Sequence, residues 1–600
     1  MLMKLALSGM KSRRRDYIVL FSGLIFSVAI FYMFETIAMN KAFIQSTSSV
    51  SVLPIIFHLG SVLLAIITLV YIIYANSFLL SLRQREFGMY MMLGARKNKI
   101  TQIMFGETLL IGVVAIMSGL ILGTGLSAIV SHVLMQALSF QSHAFTAFYV
   151  PSIVITVLFF TVLFFVSSVV NAGMLSKMKL INLLKGGKQT ERKPVKKVLN
   201  WGMFGLAILL LVAGYLALYQ VGTGDMKLNG VGIALVTIPV GTYLTYATLV
   251  PRIIAGLRHR QHTIERGLTG FTYGQIEFRM TQYSRMLAVV TMLLALALGS
   301  VTVGLGFKSN ADLITEKSYY YDAVLQNPNG VEKKLLSQTG AQTKYNNYRY
   351  KVVDHVVYYQ VDDLMKNIPT LTANNKYKKP AAENLVTLTL TPRWEETLMQ
   401  LYPYYMQAEP FEFKLVDVNS FNQLQAEVQV TRTVKSADFN ASQDIWRKID
   451  QIEIKKNHID SNQYYSRYAN MNFLNELSKG TEFMGFFLGV SFLAMMASTL
   501  MFKILSGASD DIRRYEMLNK IGAQRSEMAK AIAKEIGYLF ILPAILGLIH
   551  VVFGLQMFKV ILLQPYYHFW IPVMLLGVIY AIYYMITVWL YRSLVLGKQK

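Results

Sequence analysis

The stretch that comes nearest to catalytic chemistry is Lys185-Gly-Gly-Lys-Gln-Thr190, and it fails as a phosphate loop. Asn182 stands where the first glycine is needed, and Gln189 follows Lys188 where a Ser or Thr would reach a magnesium ion. Neither His-Glu-x-x-His nor Gly-x-Ser-x-Gly occurs. His58, His132 and His550 lie in apolar stretches without metal-ligand spacing, which points to hydrogen bonds between helices. The lack of cysteine removes thiol-based metal and redox chemistry. What remains is charge placed twice. Arg83-Gln-Arg-Glu-Phe-Gly-Met-Tyr-Met-Met-Leu-Gly-Ala-Arg96 returns 428 residues later as Asp511-Ile-Arg-Arg-Tyr-Glu-Met-Leu-Asn-Lys-Ile-Gly-Ala-Gln524. Gly94 falls on Gly522, Ala95 on Ala523, Met89 on Met517 and Leu93 on Ile521, while Glu107 falls on Glu535. A charged segment repeated at equivalent places in an apolar chain suits two docking elements for a two-fold partner.

Each copy reads mechanically. Arg83, Arg85 and Glu86 leave an apolar span, and an apolar stripe runs on to Leu93. Gly94 can take a left-handed conformation and turn the chain, so that Lys97 to Ile103 form a second short segment leading into the next span. Arg513, Arg514, Glu516, Gly522 and Arg525 repeat the scheme, with Arg96 and Gln524 closing the two copies. The second copy has Arg514 where the first has Glu86, and its acidic residue comes two positions later at Glu516. The two surfaces therefore need not be equivalent. Taken singly, either copy also fits a basic helix lying on a membrane surface. Glu107 and Glu535 each open a span, where a helix N-terminus favours a carboxylate as readily as a partner would.

Composition places these segments in a membrane. Of 600 residues, 54% are hydrophobic and only 15% charged, which excludes an ordinary soluble protein. Ten apolar runs reach the length needed to cross roughly 30 Å of hydrocarbon: near 17–38, 53–80, 105–135, 147–174, 201–220, 229–256, 284–307, 482–506, 534–561 and 568–594. The first follows Lys11-Ser-Arg-Arg-Arg15 but is too long for a signal-peptide core and lacks a small-x-small cleavage site, so it reads as a retained span. Glu35, near its outer end, can snorkel to the interface. Lys and Arg gather in 1–16, 81–104, 175–200, 251–285, 503–533 and the C-terminal tail, which alternate correctly with ten spans and put both termini in the cytoplasm. Residues 309–480 hold 20 Lys+Arg and 20 Asp+Glu, so the whole formal charge of +24 belongs to the remainder. Positive-inside topology accounts for the pI of 9.7, and nucleic acid is excluded as a partner.

Residues 309–480 read as one external α+β domain inserted between spans seven and eight, large enough to fold without disulfides. A ligand-induced change there could pass into both flanking spans. Alternation predicts strands at Leu385–Thr391 and Ala426–Val434, with further strands at Val352–Val361 and Phe411–Val418. Ile445, Ile449 and Ile452 behind Ser442 and Asp444 predict a capped amphipathic helix. Tyrosine is conspicuous: Tyr319-Tyr320-Tyr321, Tyr358-Tyr359, Tyr402, Tyr404-Tyr405 and Tyr464-Tyr465. Such side chains grip peptides or lipid headgroups, or equally pack a sheet and rest on the bilayer interface. The candidate ligand residues are Tyr358, Tyr359, Tyr404 and Tyr405, with Lys376, Lys378 and Lys379 as cations for a pyrophosphate-bearing lipid or as a solvated basic loop.

The charged helix ending in Leu-Gly-Ala, its duplication and the single large insertion resemble the FtsX-like family of ABC-transporter permeases, in the span order of its bacitracin-resistance (Bce-type) branch. The resemblance covers most of the chain. It implies a polytopic α-helical membrane protein of about ten transmembrane helices, with a duplicated FtsX-like core and one inserted α+β extracellular domain. The segments are then 1–52, the N-terminal segment and first span; 53–174, the first permease repeat; 175–308, a basic linker with spans five to seven; 309–480, the sensing domain; and 481–600, the second repeat. The charged segments become coupling helices for two copies of a separate ABC ATPase, which holds the ATP and Mg2+; this chain holds no cofactor. Spans five and six, without counterpart in the other half, become a platform for a sensor histidine kinase. The substrate becomes a cell-wall-active peptide antibiotic or its complex with an undecaprenyl-pyrophosphate-type lipid, in the cytoplasmic membrane of a Gram-positive bacterium. A kinase-controlling scaffold with little transport, and a lipid or lipoprotein extruder, are the alternative outputs.

Overall fold

The computed structural model describes residues 14–40, 53–137, 146–177, 197–258, 268–373, 376–402, 412–460 and 464–597. The chain divides into two compact units, Met1–Gly306 with Lys479–Lys600, and Phe307–Ser478.

The first unit is helical because its sequence offers long apolar runs whose backbone groups must be satisfied within the segment. Its helices are α1 (Arg14–Met39), α2 (Leu53–Met92), α3 (Lys97–Ala137), α4 (Val150–Lys177), α5 (Lys197–Thr223) and α6 (Lys227–Leu244). α6 continues through a π-turn, Thr245–Leu249, into Val250–Arg258. α7 (Thr269–Ser318), which runs on past Gly306 into the second unit, α8 (Arg467–Lys520), which begins in that unit, α9 (Arg525–Gly554) and α10 (Trp570–Val595) complete it. Eight of these are long and apolar enough to cross a membrane among the described residues; shorter apolar stretches occupy Gly23–Met39 of α1 and Phe57–Ile73 of α2. The chain is a polytopic membrane protein with an inserted domain.

Small residues set the helix approaches. A Cβ on Gly119 would lie 2.5 Å from the Val28 Cβ, so α3 and α1 meet at a glycine. Gly485 meets the Ser300 carbonyl of α7 in the same manner from α8. The repeat-equivalent helices α2 and α8 touch each other, with Tyr71 Oη and Ser498 Oγ 2.8 Å apart. Glu35 is buried and sits 3.3 Å from His58 Nδ1 of α2. His550 bridges helices as its spacing predicted, within 2.7 Å of Tyr215 Oη on α5 and 2.9 Å of Thr242 Oγ1 on α6.

The second unit carries a five-stranded sheet of order β1-β7-β2-β3-β6: β1 (Ala323–Gln326), β2 (Lys344–Val353), β3 (Val356–Gln360), β6 (Glu412–Val416) and β7 (Gln429–Lys435). All neighbours are antiparallel except β3 and β6. A separate pair joins β4 (Leu371–Ala373) to β5 (Lys376–Lys378). One core holds Tyr348, Tyr350, Tyr359, Trp394, Leu398 and Phe413, and another Leu325, Val434, Trp446 and Ile449. Both tryptophans are satisfied, Trp394 Nε1 donating to the Ala381 carbonyl at 3.0 Å and Trp446 Nε1 to Phe439 at 3.2 Å.

Two expectations change here. Leu385–Thr391 is not a strand: Glu383–Val386 is a helical turn, and Pro392 starts the helix Pro392–Leu401. Proline fits the first helical position, and Leu385 buries its side chain from the preceding helical turn without a sheet neighbour. The helix predicted around Ile445 forms as Gln443–Lys456, but Ser442 makes no side-chain cap.

Candidate functional site

The two charged segments fold into the same turn. In the first copy, α2 runs unbroken to Met92; the Leu93 N–H donates to Met89, Gly94 to Met91 at 3.1 Å and Ala95 to Tyr90 at 2.9 Å. In the second, Ile521 donates to Met517, Gly522 to Asn519 at 3.1 Å and Ala523 to Leu518 at 3.0 Å. Every donor and acceptor is equivalent under the repeat. This is a helix C-terminus closed by a left-handed residue, which satisfies the carbonyls the helix would otherwise leave bare. Gly94 and Gly522 supply the positive φ, 95° and 94°. The following segments are not separate short helices, as the sequence suggested, because α3 and α9 continue without a break from Lys97 and Arg525.

The packing beneath each turn is duplicated too. Phe87, Ile100 and Met104 form a buried cluster with Ala95 against it. Tyr515, Met528 and Ile532, their equivalents, are likewise buried, with Ala523 packed near them. Above this floor, each turn shows the same apolar residues outward. Met89 is 54% and Leu93 85% exposed; Met517 is 60% and Ile521 80% exposed. The two turns thus expose apolar side chains at equivalent positions.

The basic residues have mixed placements. Arg96, Arg513 and Glu516 are exposed, and Glu86 is half-buried. Arg83 and Arg85 lie on α2, with side chains outside the described residues. Arg514 points inward, its Nη1 donating to Gln275 at 3.0 Å and to Asp511 at 3.2 Å. Arg525 donates to the Leu596 carbonyl at 2.6 Å and to Gly597 at 3.2 Å, closing the end of α10. Local sequence does not announce the distant partners, which lie more than 70 residues away for Arg525 and more than 230 for the Arg514–Gln275 pair.

Beside the second turn lies a buried polar hub. Arg279 of α7 pairs with Asp511 of α8 and, at 3.2 Å, with Glu535 of α9. Tyr591 of α10 donates to Asp511, and Tyr515 donates to Glu535 at 3.1 Å. All of these side chains are nearly inaccessible. A buried arginine shared by two carboxylates fixes its helices relative to one another, since moving any one leaves a bare charge. Glu535 is thus committed within the chain, and Glu107 is buried at the equivalent place.

In the inserted domain the candidate ligand residues are scattered. Tyr359 cannot face a ligand: it is wholly enclosed in the sheet core, 5.4 Å from the Tyr350 ring. Strand alternation explains this, since Tyr358 on the same strand is half-buried on the other face. Lys376, Lys378 and Lys379 are exposed on and after β5, and Tyr404 and Tyr405 fall outside the described residues. Among the described residues no group of three or more His, Asp or Glu could hold a metal.

Comparison with known proteins bears on this arrangement. The FtsX-like permease C-terminal family model matches residues 58–180, which contain the first turn. The chain is 23% identical to the bacitracin export permease protein BceB of Bacillus subtilis (strain 168), over 97% of each chain. It is 20% identical to the protein of that name from Halalkalibacterium halodurans, over 92% of each. It is 21% identical to the ABC transporter permease protein YxdM of Bacillus subtilis (strain 168), over 92% of this chain and 93% of that one. The likeness extends through the inserted domain and the second turn as well as the segment matched by the family model.

Proposed function

We propose that this chain, which belongs to the FtsX-like ABC transporter permeases, holds two ATPase subunits on its duplicated turns and recognises cell-wall-active peptide antibiotics through its inserted domain. The observation that carries the reading is the turn itself: two copies, identical bond for bond, each lifting exposed apolar residues over a duplicated buried floor. A permease with no phosphate loop of its own needs such contacts, and a pair of them suits a two-fold ATPase dimer holding ATP and Mg2+. Rotation of either ATPase subunit would bear on the apolar knobs, and on the second side the Arg279 hub would carry that force into α7, α8, α9 and α10.

In this reading the turns and both termini are cytoplasmic and the inserted domain is external, in a Gram-positive cytoplasmic membrane. The antibiotic is taken alone or with an undecaprenyl-pyrophosphate-type lipid, and α5 and α6 offer a face to a sensor histidine kinase. Full-length similarity to two bacitracin export permeases favours the peptide over a lipoprotein substrate. The test replaces residues 315–475 by a short flexible linker. Protection against bacitracin and induction of the kinase response should both be lost, while the ATPase still co-purifies. Full protection by a normally expressed deletion variant would move recognition into the spans and favour a lipid extruder.

A further inference from the structure

α5 and α6 pack as an antiparallel pair. A Cβ on Gly214 would lie 2.6 Å from Ile238 Cγ1, and one on Gly241 would lie 2.9 Å from Leu211 Cγ. Carried to the end of the pair, that register sets Trp201, the first residue of one apolar span, beside Arg252, near the last residue of the other. The two side chains do meet there. The Arg252 guanidinium lies 4.7 Å from the Trp201 ring centre and 5.6 Å from that of Phe204, and the two rings stand edge to face at 5.9 Å. The π-turn Thr245–Leu249 comes just before Arg252, and such turns often accompany functional sites.

Arg252 is half-buried, and among the described residues no carboxylate or other hydrogen-bond acceptor meets it. By contrast, Arg279 has Asp511 and Glu535, Arg514 has Gln275, and Arg525 has the Leu596 carbonyl. A guanidinium held against two rings keeps its N–H edge for an anion, and its planar fork fits a phosphate. Tryptophan at a span end is ordinary in the aromatic belts of membrane proteins. The cation on its face, without an acceptor, is what calls for a ligand. The surroundings choose which one. Residues 185–197, which lead into α5, hold six Lys and Arg against one Glu, and 252–266 hold four Arg against one Glu. Both segments repel a cationic partner and attract an anionic lipid surface. From Trp201 inward, Gly205, Ile208 and Val212 follow at helical spacing on one exposed face of α5, and no heavy atom lies within 4 Å of a Cβ placed on Gly205. A cation at the span end with an open apolar strip running inward matches a lipid phosphate and its acyl chain.

We propose that Arg252, Trp201 and Phe204 form a seat for one anionic phospholipid, its phosphate on the guanidinium and an acyl chain along the exposed face of α5. In the orientation proposed above, this lipid belongs to the cytoplasmic leaflet. The seat itself depends on neither the ATPase nor the antibiotic reading.

The test reads tryptophan fluorescence of the full chain in vesicles of brominated phosphatidylglycerol or brominated phosphatidylcholine, whose bromines quench a ring in contact with lipid. Of the five tryptophans, Trp394 and Trp446 are enclosed in the inserted domain, while Trp201, Trp570 and Trp589 are exposed. Trp570→Phe with Trp589→Phe therefore leaves Trp201 as the reporter. Trp201→Phe with Trp570→Phe leaves Trp589 of α10 as the control. The preference for phosphatidylglycerol over phosphatidylcholine should be about fivefold greater at Trp201 than at Trp589, the worth of one basic side chain at a membrane surface. Arg252→Gln should remove that excess and leave the preference at Trp589 unchanged, and excess inorganic phosphate should alter neither. Equal preferences at the two tryptophans would overturn the proposal, as would an excess that survives Arg252→Gln. So would an equal fall at Trp589, or loss of the excess in phosphate, which would mean a site for free anions. Failure of the ATPase or antibiotic reading would leave the Trp201 excess in place.

Discussion

Gly94 and Gly522 stand 428 residues apart with φ of 95° and 94°, each receiving its place from the same three backbone hydrogen bonds. No heavy atom lies within 4 Å of where a Cβ would sit on either one. The glycines are needed for backbone conformation and not for space. Gly94→Ala or Gly522→Ala should each cost about 1 kcal/mol through left-handed strain, while Gly→Asn should cost less, because Asn tolerates that region. Co-purification of the ATPase with each variant at rising salt gives the order: natural, Asn, Ala, then Val. Equal retention by Gly522→Val and the natural chain would detach the turn from partner binding.

A second prediction concerns the buried hub. Arg279→Met leaves the Asp511 and Glu535 carboxylates without their shared cation, and removing one partner of a buried pair costs about 3–5 kcal/mol. Thermal unfolding of the purified chain in nanodiscs should show a large fall in Tm. Adding Asp511→Asn and Glu535→Gln to Arg279→Met should restore much of it, since neutral groups leave no bare charge. A triple variant no better than the single one would mean that packing of the arginine stem, and not charge balance, is what matters.

Much of this was legible in the sequence, for reasons tied to particular residues. The turns could be read because glycine, an apolar stripe and flanking charge recur at a fixed offset. The duplicated floor of Phe87, Ile100 and Met104 under Tyr515, Met528 and Ile532 was equally present in the offset, but its members look like ordinary span residues. Only the end of strand β2, Val352 and Val353, lies within an expected strand, because Lys344–Val353 is mostly polar; its period-two signal lies in Tyr348 and Tyr350, which are fully buried and build the core. The alternation at Leu385–Thr391 misled because Pro392 opens a helix and no strand lies beside it. The Arg279 hub joins residues more than 230 positions apart, and no local pattern announces it.

Two acids in the inserted domain give a pH dependence. Burial, then the neighbouring Glu453, pushes the Glu332 carboxyl up to about 7 from its ordinary 4.5. Burial also raises Asp450, which accepts from Ser466, from 3.8 to about 7. Folded-state values above the unfolded ones mean that the folded domain holds extra protons between about pH 4 and 7. Stability is fully present below that window and falls as pH rises through about 7. Hydrogen exchange over 330–337 and 443–456 should quicken from pH 5 to pH 8, after correction for intrinsic rates, and Glu332→Gln should flatten the trend. A slope of opposite sign would refute the assignment.

Topology gives a fourth check. Lys378 is exposed on β5 and Arg96 is exposed at the first turn. Lys378→Cys should react with an impermeant thiol reagent on intact cells, and Arg96→Cys only after the cells are opened. Reaction of Arg96→Cys on intact cells would reverse the orientation proposed for the turns.

Because the chain contains no cysteine, Leu93→Cys and Ile521→Cys each create a single reactive site on one turn without further engineering. The direct measurement is cross-linking of each variant to the ATPase with a short thiol–amine reagent, followed by native mass determination of the complex. Both variants should cross-link, and the complex should contain one permease and two ATPase chains. Cross-linking from neither position, or a complex with a single ATPase engaged only at one turn, would contradict the account of the duplicated turns as paired coupling elements.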